Sequence, residues 1–237
     1  MIRWGISGGT QNLALDWRFS MVDFFEDVSY YIVIAGNIGV GKTTLTELVS
    51  KRLGWEPMYE TFQENPFLAD FYDDMPRWAF HSQVFFLSQR LKQHHFLLQR
   101  NGSIVQDRSI YEDAEVFARN LHLQGSLSSK EWQAYEDLYR AIVRVLAPPN
   151  LLVYLQASPA TLLARIAQRG RDYESTISEA YIAQLNVCYD DWIDNFKLCP
   201  TLTIQTDGLD YVRYEDHLDL IIERISQHLH GNYHMSI

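Results

Sequence analysis

The sequence predicts an α/β fold, one parallel sheet of five strands with helices on both faces. Three observations carry that expectation. Short apolar runs alternate with helix-length segments along the chain. The first run leads through a glycine-rich loop into a helical pattern. Charged residues stand directly after the second and third runs, at the edge where open sheets of this kind bind ligands.

Strands are read at 31–35, 56–59, 103–106, 150–155 and 201–205. Tyr31-Ile32-Val33-Ile34-Ala35 has the wholly apolar character of a buried strand. Helices are read at 42–53, 65–74, 76–100, 110–123, 128–146, 158–169, 178–197 and 214–229. Ser128 with Glu131 makes a capping-box pattern, Pro159 follows Ser158 at a first helical position, and Ser178 precedes Tyr181 and Ile182. Pro148 and Pro149 close the fifth helix. From Pro76 to Arg100, Phe80, Val84, Leu87 and Leu91 mark one face, with Gln83, Phe86 and Arg90 on an adjacent one. No repeat, low-complexity stretch or linker is present, so residues 29–237 read as a single domain and 1–28 as an extension, with Met21 a candidate start.

The 237 residues are 47% hydrophobic, enough for a substantial core. Lys plus Arg number 20 against 30 Asp plus Glu, a net charge of −10 that repels nucleic acid polymers and anionic membranes. Cys188 and Cys199 are too few for a disulfide framework or a zinc site and suit reduced thiols of a cytoplasmic protein. No apolar run reaches membrane-spanning length, and Asp16 and Arg18 interrupt the first twenty residues, so no signal peptide is expected.

Residues Gly36-Asn37-Ile38-Gly39-Val40-Gly41-Lys42-Thr43 complete a G-x-x-x-x-G-K-[ST] loop between a strand and a helix. Its glycines let backbone N–H groups converge at a helix N-terminus, where partial positive charge favours phosphate. Lys42 then reaches the outer phosphates, the Thr43 hydroxyl suits Mg²⁺, and Thr44 continues the loop into the helix. Asp107 and Arg108 follow the third strand, where an acid can hold Mg²⁺ or its water and an arginine can neutralise phosphate; a surface ion pair is the plain alternative. Glu60 follows the second strand, where its carboxylate could accept the proton of an attacking hydroxyl or remain a solvated loop acid. Arg165, Arg169 and Arg171 gather around a helix C-terminus, either compensating its dipole or forming a lid, at about 165–178, over a triphosphate.

Taken in order, Gly36 to Thr44, Glu60, Asn65-Pro66-Phe67 with Tyr72, Gln83 with Arg90, Gln106 to Asp113, and Arg169-Gly170-Arg171 with Glu174 resemble the deoxyribonucleoside kinases, in the bacterial deoxyadenosine/deoxycytidine/deoxyguanosine branch. The resemblance spans about residues 31 to 206. It implies a P-loop kinase fold in which ATP or another nucleoside triphosphate, with Mg²⁺, phosphorylates the 5′-hydroxyl of a deoxyribonucleoside. By similarity Glu60 is the general base, Arg108 holds that carboxylate or the nascent phosphate, and Asp107 assists Mg²⁺ beside Thr43. Tyr72 with Glu174 grips the 3′-hydroxyl, Gln83 pairs with the base edge, and Phe86 and Phe117 make an aromatic slot, with core packing the plain alternative, more so for Phe86 than for Phe117. Arg90 and Asp113 mark members that accept purines or cytosine and crowd the thymine methyl, so thymidine is expected to be poor; deoxyadenosine is favoured, with deoxycytidine and deoxyguanosine as alternatives. Thr61 stands where many relatives carry proline or valine.

The resemblance also implies a homodimer through two long helices, 76–100 with 110–123 or 128–146. Two rivals have weaker support. A nucleoside monophosphate kinase needs cationic groups near Glu60, and 60–72 holds no Lys or Arg. A non-catalytic kinase-like subunit would be expected to lack one of Lys42, Glu60, Asp107 or Arg108, and all four are present.

Overall fold

A computed structural model of the chain describes residues 29–59, 65–97, 100–171, 174 and 177–230. Strands β1 (Tyr31–Gly36), β2 (Glu56–Met58), β3 (Ile104–Asp107), β4 (Leu151–Gln156) and β5 (Thr201–Gln205) form one sheet in the order β2-β3-β1-β4-β5. Every pairing is parallel. β1 is central, with Ile34 opposite Asp107 of β3 and Gly36 opposite Leu155 of β4. That position explains its composition, since a middle strand covered on both faces admits only apolar side chains.

Alternate residues feed two cores. On one face Ile32, Ile34, Val153 and Leu155 pack against helices α1 (Lys42–Leu53), α7 (Pro159–Arg169) and α9 (Glu215–His230). On the other, Ala35, Leu152 and Tyr154 meet Leu87 of α3 (Met75–Leu97), Tyr135 of α6 (Ser129–Val143) and Tyr189 of α8 (Glu179–Asn195). Each fully buried Leu or Ile contributes about 1.5–3 kcal/mol. After β1 the chain passes into α1 on the first face, whereas after β3 it enters helical turns on the second. The two connections diverge above the ends of adjacent strands, and this divergence opens a crevice there.

The capping signals form as read: Ser128 and Glu131 make a reciprocal capping box, and Ser158 and Ser178 cap α7 and α8. Three local expectations change. The segment read as helix from 65 begins at α2 (Leu68–Asp73), because Asn65 Oδ1 accepts from Phe67 N at 3.0 Å and holds Asn65-Pro66-Phe67 as a turn. The helix read at 110–123 comprises α4 (Ile110–Glu112), a π-helical turn (Asp113–Ala118) and α5 (Arg119–Leu123). In α3 the inward face is Ala79, Gln83, Leu87, Arg90 and His94, while Leu91 is 40% exposed. Polar side chains take the inner face because each has a use there: Arg90 Nε donates to Asp113 Oδ2 at 2.8 Å, and His94 Nε2 accepts from Ala147 N at 3.0 Å.

Candidate active site

Residues 36–41 turn the chain between β1 and α1, and their geometry depends on glycine. Gly36 has φ 144° and Gly41 φ 104°; a Cβ on Gly36 would stand 2.6 Å from Leu155 O, and one on Gly41 would fall on the Tyr211 hydroxyl. The loop is also tied from outside. Asn37 Nδ2 donates to Ile182 O at 3.0 Å and Asn186 Oδ1 at 2.7 Å, both on α8. Arg165, read above as a lid residue, donates to Val40 O at 3.0 Å and Thr206 O at 2.8 Å, and so braces the loop against the end of β5.

Lys42 is buried, its Nζ donating to Gly36 O at 2.8 Å and Asn37 O at 3.1 Å, which centres the ammonium inside the loop. The Thr43 hydroxyl donates to Asp107 Oδ2 at 2.5 Å. One neutral and one anionic oxygen thus stand side by side at the start of α1, with Thr43 on the cavity lining and Asp107 just behind it, a hard donor set that fits Mg²⁺, which takes one or two protein oxygens and completes its shell with water and phosphate. Among the described residues no group of three or more His, Cys, Asp or Glu could hold a metal alone.

A cavity of about 1160 Å³ runs from this loop across the end of the sheet. Its donor end is lined by Ile38 to Thr44 and by a wall the sequence reading missed, Asp207 to Tyr214 with His217. Its other end is lined by Tyr72, Gln83, Phe86, Asp113 and Phe117, with Arg108 between the two. Arg90, Asp107, Gly36 and Asn37 stand behind the lining and hold it in place. Asp113 and Phe117, four residues apart on the π-helical turn, both line this cavity. Gln83 is 4% exposed, and its Oε1 has no hydrogen-bond partner among the described residues. Such an orphaned acceptor costs about 1–3 kcal/mol, a cost that a ligand's N–H would recover.

Arg108 adopts φ 64°, left-handed backbone that a non-glycine residue holds at a cost of about 1–3 kcal/mol. Its guanidinium lies 4.4 Å over the Phe117 ring, so this face of the expected aromatic slot carries a cation. Glu112, given no role by the sequence reading, is fully buried and accepts from Gly36 N and from Tyr189 Oη. Burial pushes its carboxyl pKa up, against the lowering effect of Arg108 and Lys42. Ser109-x-x-Glu112 was a readable capping box; nothing in the sequence marked Tyr189. Arg169 grips Glu174 through Nη2 at 2.6 Å, and Arg171 lies 3.6 Å from the same carboxylate. Arg169, Arg171 and Glu174 therefore line the cavity as one ionic cluster. Glu60 lies outside the described residues, as do Thr61, residues 1–28 and four positions of the lid.

A phosphate-binding loop facing a pocket with an orphaned amide and a charged pair defines a phosphotransferase for a small polar acceptor. The comparisons narrow that class. The family model Deoxynucleoside kinase matches residues 32–230, and the chain belongs to that family. It is 37% identical over 203 residues to a deoxyadenosine/deoxycytidine kinase of Bacillus subtilis, covering 85% of this chain and 94% of that one. A deoxyguanosine kinase of Lactobacillus johnsonii is 35% identical over 203 residues, covering 82% and 90%. Among solved structures, deoxyadenosine kinase from M. mycoides with dCMP and dCDP superimposes with a TM-score of 0.74 at 29% identity, covering 83% of this chain and 99% of that one.

Proposed function

We propose that the chain transfers the γ-phosphoryl group of ATP, or another nucleoside triphosphate, to the 5′-hydroxyl of a deoxyribonucleoside bearing an amino group on its base. The reaction class follows from the family, phosphorylation of a deoxynucleoside hydroxyl. The base class rests on Gln83: its orphaned Oε1 accepts from an exocyclic amino group while its amide N–H₂ donates to the neighbouring ring nitrogen. Thymidine is disfavoured, since the charged Arg90–Asp113 pair would crowd the thymine methyl; among the amino-bearing bases deoxyadenosine is favoured, with deoxycytidine and deoxyguanosine as alternatives.

Lys42 and the loop N–H groups hold the donor phosphates, and the Thr43–Asp107 pair would hold Mg²⁺, which neutralises developing charge. Glu60 orients the 5′-hydroxyl and takes its proton, Arg108 steadies the charge between donor and acceptor, and Arg169 and Arg171 close over the phosphates. Tyr72 and Glu174 hold the sugar, and Phe86 and Phe117 flank the base. Free Cys188 and Cys199 suit the reducing cytoplasm, and exposed Leu91 and Leu138 on α3 and α6 suit a homodimer interface. No described helix is long and apolar enough to cross a membrane.

ADP release measured side by side with the four deoxynucleosides, adenosine and thymidylate tests this. The expected order puts deoxyadenosine first, the other amino-bearing bases next, and thymidine, adenosine and thymidylate far behind. A response to thymidylate alone would replace the proposal with a monophosphate kinase.

A further inference from the structure

Three elements and the connection after β3 converge on one buried hydroxyl behind the phosphate loop. Tyr189 Oη of α8 lies 2.8 Å from Gly36 O, 2.8 Å from Glu112 Oε1 and 3.1 Å from Arg108 Nη1. Glu112 Oε1 also accepts from Gly36 N at 3.1 Å, and its Oε2 accepts from Ser109 N at 3.1 Å. The tyrosine and the carboxylate together engage both backbone polar groups of the loop's first glycine. The same pair holds the arginine on the acceptor side, 3.7 Å from Glu112 Oε1. Neither side chain is exposed, so neither can exchange these contacts for water.

The surroundings fix the pair in place. The Tyr189 ring stacks on Tyr154 at 5.6 Å and meets Phe117 and Trp192 edge-on at 6.2 and 6.1 Å. Phe117 in turn carries the Arg108 guanidinium. Arg108 leaves its strand in strained backbone, and a strained residue keeps its direction only when several contacts over-determine it. Losing the Tyr189 hydroxyl would remove one acceptor from the Arg108 guanidinium and the single proton that Gly36 O and Glu112 Oε1 share, loosening the tie between arginine and loop. For in-line transfer, misplacement by about 1 Å costs on the order of 10²-fold.

We propose that Tyr189 and Glu112 are positioning residues for phosphoryl transfer, locking the acceptor-side arginine and the first turn of the donor loop into one register. The proposal rests on the phosphotransferase function above. Its test compares Tyr189→Phe, Glu112→Gln and their double variant with wild type, in kcat and nucleoside KM, with rates expressed per site titrated by ADP. Tyr154→Phe is the packing control, since its hydroxyl faces Asp190 rather than the loop.

Each single variant should lose about tenfold or more in kcat, the scale of one charge-assisted hydrogen bond, with nucleoside KM changed by less than about threefold. The double variant should be no slower than the slower single, as for two parts of one unit. Tyr154→Phe should stay within about twofold of wild type. Near-wild-type kcat in Tyr189→Phe, an equal loss in Tyr154→Phe, or losses that multiply in the double variant would each overturn the pair. If Tyr189→Phe does not fold, Glu112→Gln at wild-type kcat overturns it alone. A wild-type protein without deoxynucleoside-dependent ADP release would instead remove the function beneath it.

Discussion

The two ends of the cavity are built differently. At the end proposed for the donor, the lining is one continuous segment, Ile38 to Thr44, shaped by glycines and closed by Lys42. At the end proposed for the acceptor, the lining is made of side chains from α2, α3 and the π-helical turn, brought together only by packing. A backbone site needs a local sequence and little else, so it is written in one motif. A side-chain site needs the whole fold, and each of its residues taken singly is ordinary.

That contrast predicts separable losses. Lys42→Met should be the most damaging, lowering turnover by about 10²–10³-fold with every nucleoside acceptor, because it removes charge from a step common to all. Loss that differs between acceptors would show that the two ends are not independent. Gln83→Leu should lower kcat/KM for deoxyadenosine by about 10–100-fold while leaving the KM for ATP unchanged within about twofold, as expected when only a base contact is removed. An equal rise in the KM for ATP would contradict the division.

The smallest effect concerns Glu112, where the ends join. Its carboxyl pKa is raised by burial above the unfolded value near 4.5, so the carboxyl holds its proton more readily in the folded chain than in the unfolded one. Its contribution to stability is therefore fully present below that value and is lost as pH rises through the raised pKa. In urea melts, wild type should lose stability relative to Glu112→Gln as pH rises from about 4.5 towards neutrality. A difference that stays flat with pH would show that the carboxylate is not strained by burial.

The same contrast governs what the sequence disclosed. β1 and β4 were readable because central strands of a parallel sheet demand apolar runs, and the phosphate loop because its glycines answer a steric need. The π-helical turn was not readable, since Asp113 to Ala118 keeps an ordinary helical composition while its backbone widens. Leu91 misled because hydrophobicity alone cannot reveal that Gln83, Arg90 and His94 have uses inside. Tyr189 was hidden for the same reason: its function lies in contacts with residues 77 and 153 positions away.

The claim beneath all of this is that one cavity presents a donor phosphate to a sugar hydroxyl at the far end from the base. Proton-coupled ³¹P NMR of the product from deoxyadenosine and ATP tests it directly. A phosphate on the 5′-carbon, which bears two protons, should appear as a triplet. A doublet, the signature of a phosphate on the 3′-carbon, or the absence of a new ester resonance beside formed ADP, would contradict it.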